Sequence, residues 1–165
     1  MNQYFKEEQK FSSWWIRGAF AVSIFGILMP LYRIAFLNDT SIPLAPLVIL
    51  LIIVTFVATV VLSARLETEV DKYAVKYRYI PFINSWKRIE KSEIRHAEVR
   101  KYSPVREFGG YGYRVKFNGD KALNVKGDMG LLIEYGKKKK LLIGTQKPDE
   151  LRRTINRLMD TQSTD

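Results

Sequence analysis

The sequence holds no cysteine and a single histidine among its 165 residues. No disulfide framework can form, and no zinc site can be assembled from Cys and His. With 47% hydrophobic residues and only ten glycines, it is neither a disordered nor a collagen-like chain. Charge is what it lacks most unevenly: residues 18–64 carry only Arg33 and Asp39. The mean hydropathy of −0.14 therefore averages two dissimilar parts. A chain of this length has room for one ordinary domain, or for one small domain with an attachment.

Residues 42–64 read IPLAPLVILLIIVTFVATVVLSA, 23 residues without a charge, of which 18 are apolar. At about 1.5 Å per residue such a helix covers the ~30 Å hydrocarbon core of a bilayer. The remaining chain is too short to wrap it as the core helix of a soluble fold. An earlier stretch, about residues 15–37, predicts a first span. Its charge-free run, Gly18 to Tyr32, has only 15 residues and contains Gly26 and Pro30. Arg17 and Arg33 extend it by snorkelling, and Trp14, Trp15 and Tyr32 are placed as membrane-interface anchors. The competing reading is a signal peptide or re-entrant segment. No clean small-residue cleavage motif follows, and a second span comes directly after it.

The short connection Asn38–Ser41 makes the two helices antiparallel neighbours, with both chain ends on one side. Lys6, Lys10, Arg17, Arg65, Lys72, Lys76 and Arg78 lie on that side against Arg33 on the other. The positive-inside rule then predicts a multi-pass protein of the cytoplasmic (inner) membrane, with the N-terminus and the C-terminal part in the cytoplasm. Thr55, Thr59 and Ser63 share one stripe of the second helix, and Ala19, Ser23 and Gly26 one narrow face of the first. Small and hydroxylated residues at that spacing suit helix packing, within the hairpin, with a second copy, or with another membrane protein. No Asp, Glu, Lys or His falls mid-span, so a transporter or channel acting alone is not expected.

From Arg65 onward 101 residues hold 23 basic and 14 acidic side chains, a net +9. Strand patterns dominate: Val75 to Phe82 broken by Pro81, Ile94 to Tyr102, Tyr111 to Phe117 with Tyr113, Val115 and Phe117 alternating, Ala122 to Val125, Leu131 to Tyr135, and Leu141 to Ile143. Asn118-Gly119 is the strongest hairpin signal. Pro148, with Asp149 and Glu150 behind it, opens a helix whose apolar stripe is Leu151, Ile155, Leu158 and Met159. The predicted class is α+β: a two-helix transmembrane hairpin, then a barrel or sandwich of about seven antiparallel strands capped by a C-terminal helix. Residues 1–64 would form the interfacial tail and hairpin, 65–160 the domain and 161–165 a tail.

Two spans feeding a β domain through Tyr77-Arg78-Tyr79-Ile80-Pro81-Phe82, followed by Gly109-Gly110-Tyr111-Gly112-Tyr113-Arg114, Asn124 to Gly130 and Leu142 to Pro148, resemble the small bacterial membrane proteins that carry a pleckstrin-homology-like domain. The resemblance covers roughly residues 65–160 and, as architecture, the hairpin. It implies seven strands in two near-orthogonal sheets capped by a C-terminal helix.

Chemistry is sparse. Gly109, Gly110 and Gly112 read as a bend into a strand rather than a ligand loop. Gly130 to Lys138 fails as a phosphate loop, having five intervening residues and no Ser or Thr after the lysine. His96 lies among charges, and no local spacing builds a catalytic site. No enzymatic activity, cofactor, metal or nucleic-acid partner is expected. Lys137, Lys138, Lys139 and Lys140 form a basic hairpin tip, and Lys87, Arg88 and Lys91, near the start of the domain, join them as candidate contacts for anionic lipid. Two functions fit: a membrane-tethered scaffold or accessory subunit binding a protein through an edge or groove, or a module sensing anionic headgroups. The partners are accordingly membrane lipids and another membrane protein or a second copy.

Overall fold

Tyr4-Phe5-Lys6-Glu7-Glu8-Gln9-Lys10 alternates exposed and buried positions and forms a strand that was expected to be an interfacial tail. The computed structural model describes residues 3–11, 14–37, 43–137 and 139–160. In chain order they form β1 (Gln3–Lys10), α1 (Trp14–Leu37), α2 (Leu44–Ser63), β2 (Arg65–Asp71), β3 (Ala74–Ile80), β4 (Ile83–Glu90), β5 (Ile94–Lys101), α3 (Pro104–Phe108), β6 (Gly112–Val115), β7 (Lys121–Asn124), β8 (Met129–Tyr135), β9 (Lys139–Gly144) and α4 (Pro148–Asp160). Contacts divide the chain into a helical unit, Phe11–Ala64, and a β unit that joins the segment ending at Lys10 to the segment starting at Arg65.

In the helical unit both helices are long and apolar enough to cross a membrane, and only 6% of each apolar window is buried. That exposure is the opposite of a soluble core helix. The Phe11 N–H donates to the Ala64 carbonyl at 3.5 Å, so the open ends of the hairpin adjoin and the helices run antiparallel. Their seam is made by apolar residues, most of them large. Ile27 and Ala58 are buried, and Phe20, Ile24, Leu31, Leu51, Val54 and Val61 are half-buried at the three- and four-residue spacing of a coiled-coil contact.

The β unit contains two sheets. Sheet A is the antiparallel meander β1-β2-β3-β4. Its inner face carries Phe5, Leu66, Val70, Val75, Tyr77 and Tyr79, all buried. The other face is a ladder of opposite charges: Lys6–Glu69 at 3.0 Å, Arg78–Glu67 at 2.7 Å and Lys76–Asp71 at 2.9 Å. Sheet B has the order β5-β8-β9-β7-β6, in which β7 runs parallel to β9 and every other pair is antiparallel. Leu131, Ile133, Leu141 and Ile143 are fully buried. On the opposite face Leu142 joins Tyr102 and Ala122 under Phe108 of α3. Sheet B is therefore covered on both sides, which explains the unbroken burial of Leu141 to Gly144.

The sheets cross. The β5 end of sheet B meets the β2–β3 turn, because the Gly136 N–H donates to Glu93 O and the Lys91 N–H to Tyr73 O. Strand β6 lies at the other end of sheet A, where the Tyr113 ring is 6.1 Å from Phe82. Helix α4 packs against β5 and β8 of one sheet and β1 and β2 of the other. It buries Leu151, Thr154, Ile155 and Leu158, the stripe expected from sequence with Thr154 added and Met159 half-exposed. Among the described residues, nine strands in two sheets, four and five, replace the expected seven, and no barrel closes.

Candidate functional site

Edge strand β1 is fixed by its polar inner residues. Glu7 and Gln9 occupy core-facing positions and are 6% and 5% exposed. Glu7 accepts from Thr145 Oγ1 at 2.6 Å and from the Gln146 N–H at 2.7 Å, and Gln9 Nε2 donates to the Gly144 carbonyl at 2.7 Å. These bonds offset the cost of burying the Glu7 carboxylate and the Gln9 amide nitrogen, which is severe when such groups are unpaired, while Gln9 Oε1 is buried without a partner. They also tie the first strand to the loop that leads into α4.

Beside this latch runs a cavity of about 390 Å³. One wall is Lys6 to Lys10 of β1, and the other is Val125, Lys126, Gln146 and Lys147. β1 ends sheet A, so its outward backbone edge has no strand partner in that sheet. Four lysines line the cavity. Lys6, Lys10 and Lys147 bridge to Glu69, Glu8 and Glu150 but keep more than half of their side-chain surface exposed. The two carboxylates of the lining are already engaged, Glu7 by the latch and Glu8 by Lys10 at 2.9 Å. The Glu8 carboxyl is held below its usual range by the Lys10 hydrogen bond, with burial opposing. The cavity thus combines a free strand edge with re-assignable positive charge. Sequence reading missed it because the partners of β1 are 55 and more residues away in the chain.

The expected basic site is dispersed. Lys87 and Arg88 are exposed on β4, and Arg88 is bridged to Glu90 at 2.7 Å. Lys91 is half-buried in a single 3₁₀ turn. Lys137 is exposed in the β8–β9 turn, Lys138 lies outside the described residues, and Lys139 and Lys140 open β9. Lys140 pairs with Glu134 at 2.6 Å, which raises the lysine and lowers the carboxyl. The Gly136 N–H to Glu93 O bond joins the turn that holds Lys137 to the 3₁₀ turn that holds Lys91, and the Lys91 N–H bond to Tyr73 O sets that turn at the end of sheet A opposite Arg65. Lys87 and Arg88 lie opposite Tyr77 and Lys76 in the middle of β3, and Lys91 follows the far end of β4. β3 and β4 reverse direction, so Ile80 pairs with Arg65 whereas Glu90 pairs with Ala74.

The small-residue face is also placed. Ala19, Ser23, Gly26, Thr55, Thr59 and Ser63 are all exposed on the hairpin and do not close it. Ser23 and Thr59 donate to the carbonyls of Ala19 and Thr55, and Ser63 to that of Val60, so these hydroxyls are satisfied within their own helices. Among the anchors, Trp14 and Tyr32 are 83% and 54% exposed, and Arg17 and Arg33 are exposed as well. The side chain of Trp15 lies outside the described residues. His96 is exposed beside Glu98. Among the described residues no three His, Cys, Asp or Glu side chains group to hold a metal ion. Compared with known proteins, the chain matches no family model, no curated protein and no solved structure.

Proposed function

We propose that this chain is a non-enzymatic, membrane-anchored, pleckstrin-homology-like module that assembles a protein partner at the cytoplasmic face of the inner membrane. The carrying observation is the cavity along the free edge of β1. An unpaired strand edge offers evenly spaced backbone donors and acceptors to an extended segment, and the flanking lysines favour a segment bearing carboxylates. The pleckstrin-homology-like reading draws support from topology. A four-stranded meander precedes the antiparallel set β5-β8-β9 and a C-terminal helix, with β6 and β7 as an inserted hairpin. The apolar helices are a second insertion, between β1 and β2. Because both flanking strands belong to one folded unit, that unit has to lie on a single side of any bilayer the helices cross.

Headgroup sensing by the lysine tip has less support. Lys91 and Lys137 stand a full strand length, about 20 Å, from the Arg65 end of sheet A, and the Debye length at physiological salt is about 8 Å. Photo-cross-linking of the full chain in native membranes tests the proposal. A photoreactive residue at Lys126 should capture a discrete protein, and this should persist in high salt because backbone pairing carries the contact. Capture of lipid alone at position 126, or of protein only from position 137, would sink it.

A further inference from the structure

Tyr113, Val115 and Phe117 alternate along β6 and its turn as a buried strand face does, but only the first has anything over it. The Tyr113 ring lies 6.1 Å from Phe82 and 6.4 Å from Tyr79. Val115, the last residue of β6, is 55% exposed; Phe117, two residues on in the turn, is 115% exposed, and Phe82 is 57% exposed. Phe82, Tyr113, Val115 and Phe117 therefore form one apolar stripe that runs off the edge of the β unit.

Three observations indicate what covers it. The stripe begins at the end of sheet A where the chain continues toward the apolar helices, because Phe82 follows Ile80, the register partner of Arg65, and Arg65 follows Ala64 at the end of α2. Its charged neighbours are basic: Arg114 and Lys116 alternate with the apolar residues on the other side of the strand, and Lys121 follows the turn. Asp120, the one carboxylate between Tyr111 and Lys121, is turned back, accepting from Asn118 Nδ2 at 2.8 Å and the Lys140 N–H at 3.2 Å. An exposed phenylalanine and valine flanked by lysine and arginine match the interfacial zone of a bilayer, with acyl chains below and anionic headgroups around them. We infer that the Phe82–Phe117 stripe rests in the headgroup–acyl boundary of the same membrane that α1 and α2 cross, giving the β unit a second, non-covalent attachment. The inference rests on the membrane reading of the two helices.

The absence of cysteine makes the test direct, because one introduced thiol takes the only label. The full chain is reconstituted in vesicles of phosphatidylcholine and phosphatidylglycerol, with an environment-sensitive fluorophore on Phe117→Cys, Val115→Cys or, as the reference, Lys137→Cys. Emission at 117 and 115 should shift to the blue and be lost when the lipid carries a quencher at a shallow acyl position. Emission at 137 should stay aqueous. A blue shift at 117 and 115 without quenching by lipid would mean that protein covers the stripe, and would overturn the inference. So would labels at all three sites equally accessible to iodide. A chain that alkaline carbonate strips from the vesicles would remove the membrane reading itself. An integrated chain with an aqueous stripe would remove only this inference.

Discussion

Gly130 and Gly144 face each other across β8 and β9. A Cβ on Gly130 would sit 3.0 Å from the Ile143 carbonyl and 3.1 Å from the Tyr102 ring, and one on Gly144 would sit 3.0 Å from Cβ of Asn124. The glycines are there because Tyr102 and Asn124 press onto the sheet. In the sequence they pass for turn residues, since the side chains that require them belong to other elements. Gly130→Ala should cost about 1–3 kcal/mol, the usual range for overpacking, because backbone and a buried ring cannot give way as a surface side chain would. Denaturant unfolding checks this, with Gly18→Ala as the comparison, where a Cβ meets nothing within 4 Å. Equal midpoints for the two variants would refute the close approach. The same kind of blindness hid Glu7. A carboxylate read in isolation signals solvent, and only Thr145 and Gln146, far along the chain, make it a core residue.

Elements with a local cause were legible. Helix α4 was readable from Pro148, the acidic first turn and the apolar stripe, all within its own thirteen residues. The paired apolar helices announced themselves by length and by long charge-free runs. Helix α3 was less visible, because Ser103-Pro104 directly follows the strand pattern that ends at Tyr102. Ser103 accepts from the Arg106 N–H as a cap, Pro104 takes the first helical position, and Gly109 closes the turn at φ 72°. Glu107 then reaches back to the Ser103 N–H at 2.9 Å and pairs with Arg100 of β5 at 2.7 Å. The Arg100 hydrogen bond, with burial opposing it, holds the Glu107 carboxyl below its ordinary value of 4.5. The folded state thus favours the carboxylate. This stabilisation is complete above the unfolded value and is lost as pH falls through the lower folded one. Arg100→Gln should lower stability at neutral pH and make the decline below pH 4.5 shallower than in the parent. Thermal unfolding across that range measures the slope, and an unchanged acid limb would show that the pair contributes nothing.

At the scale of the whole molecule, two β-strands separated by more than fifty residues act as one hairpin whose loop is the helical unit. Lys10 is the register partner of Arg65, and the ladder stays in register from there to Phe5 and Val70. The composition shift at Arg65 marked where charge returns, but nothing local could show that Lys10 already belongs to the same unit. Residues 65–165 alone would therefore lack a strand. Leu66 and Val70, fully buried in the intact chain, would lose their neighbours, and the Phe5 side chain, 2% exposed, would be missing. Each buried side chain of that size contributes about 1.5–3 kcal/mol, which is large against the 5–15 kcal/mol net stability of a typical domain. The register also prescribes the remedy. Replacing residues 11–64 by a short turn containing Asn-Gly should join β1 to β2 directly, since that dipeptide supplies the backbone twist a tight antiparallel connection needs. The joined chain should be soluble without detergent and unfold in one cooperative transition, whereas residues 65–165 should aggregate or unfold at markedly lower denaturant. Glu7→Ala in the joined chain should reproduce part of the defect of the strandless fragment, because it cuts the latch that Thr145 and Gln146 make while leaving the ladder intact. Comparable stability of the joined chain and the strandless fragment would mean that β1 is an ornament of the fold rather than one of its structural strands.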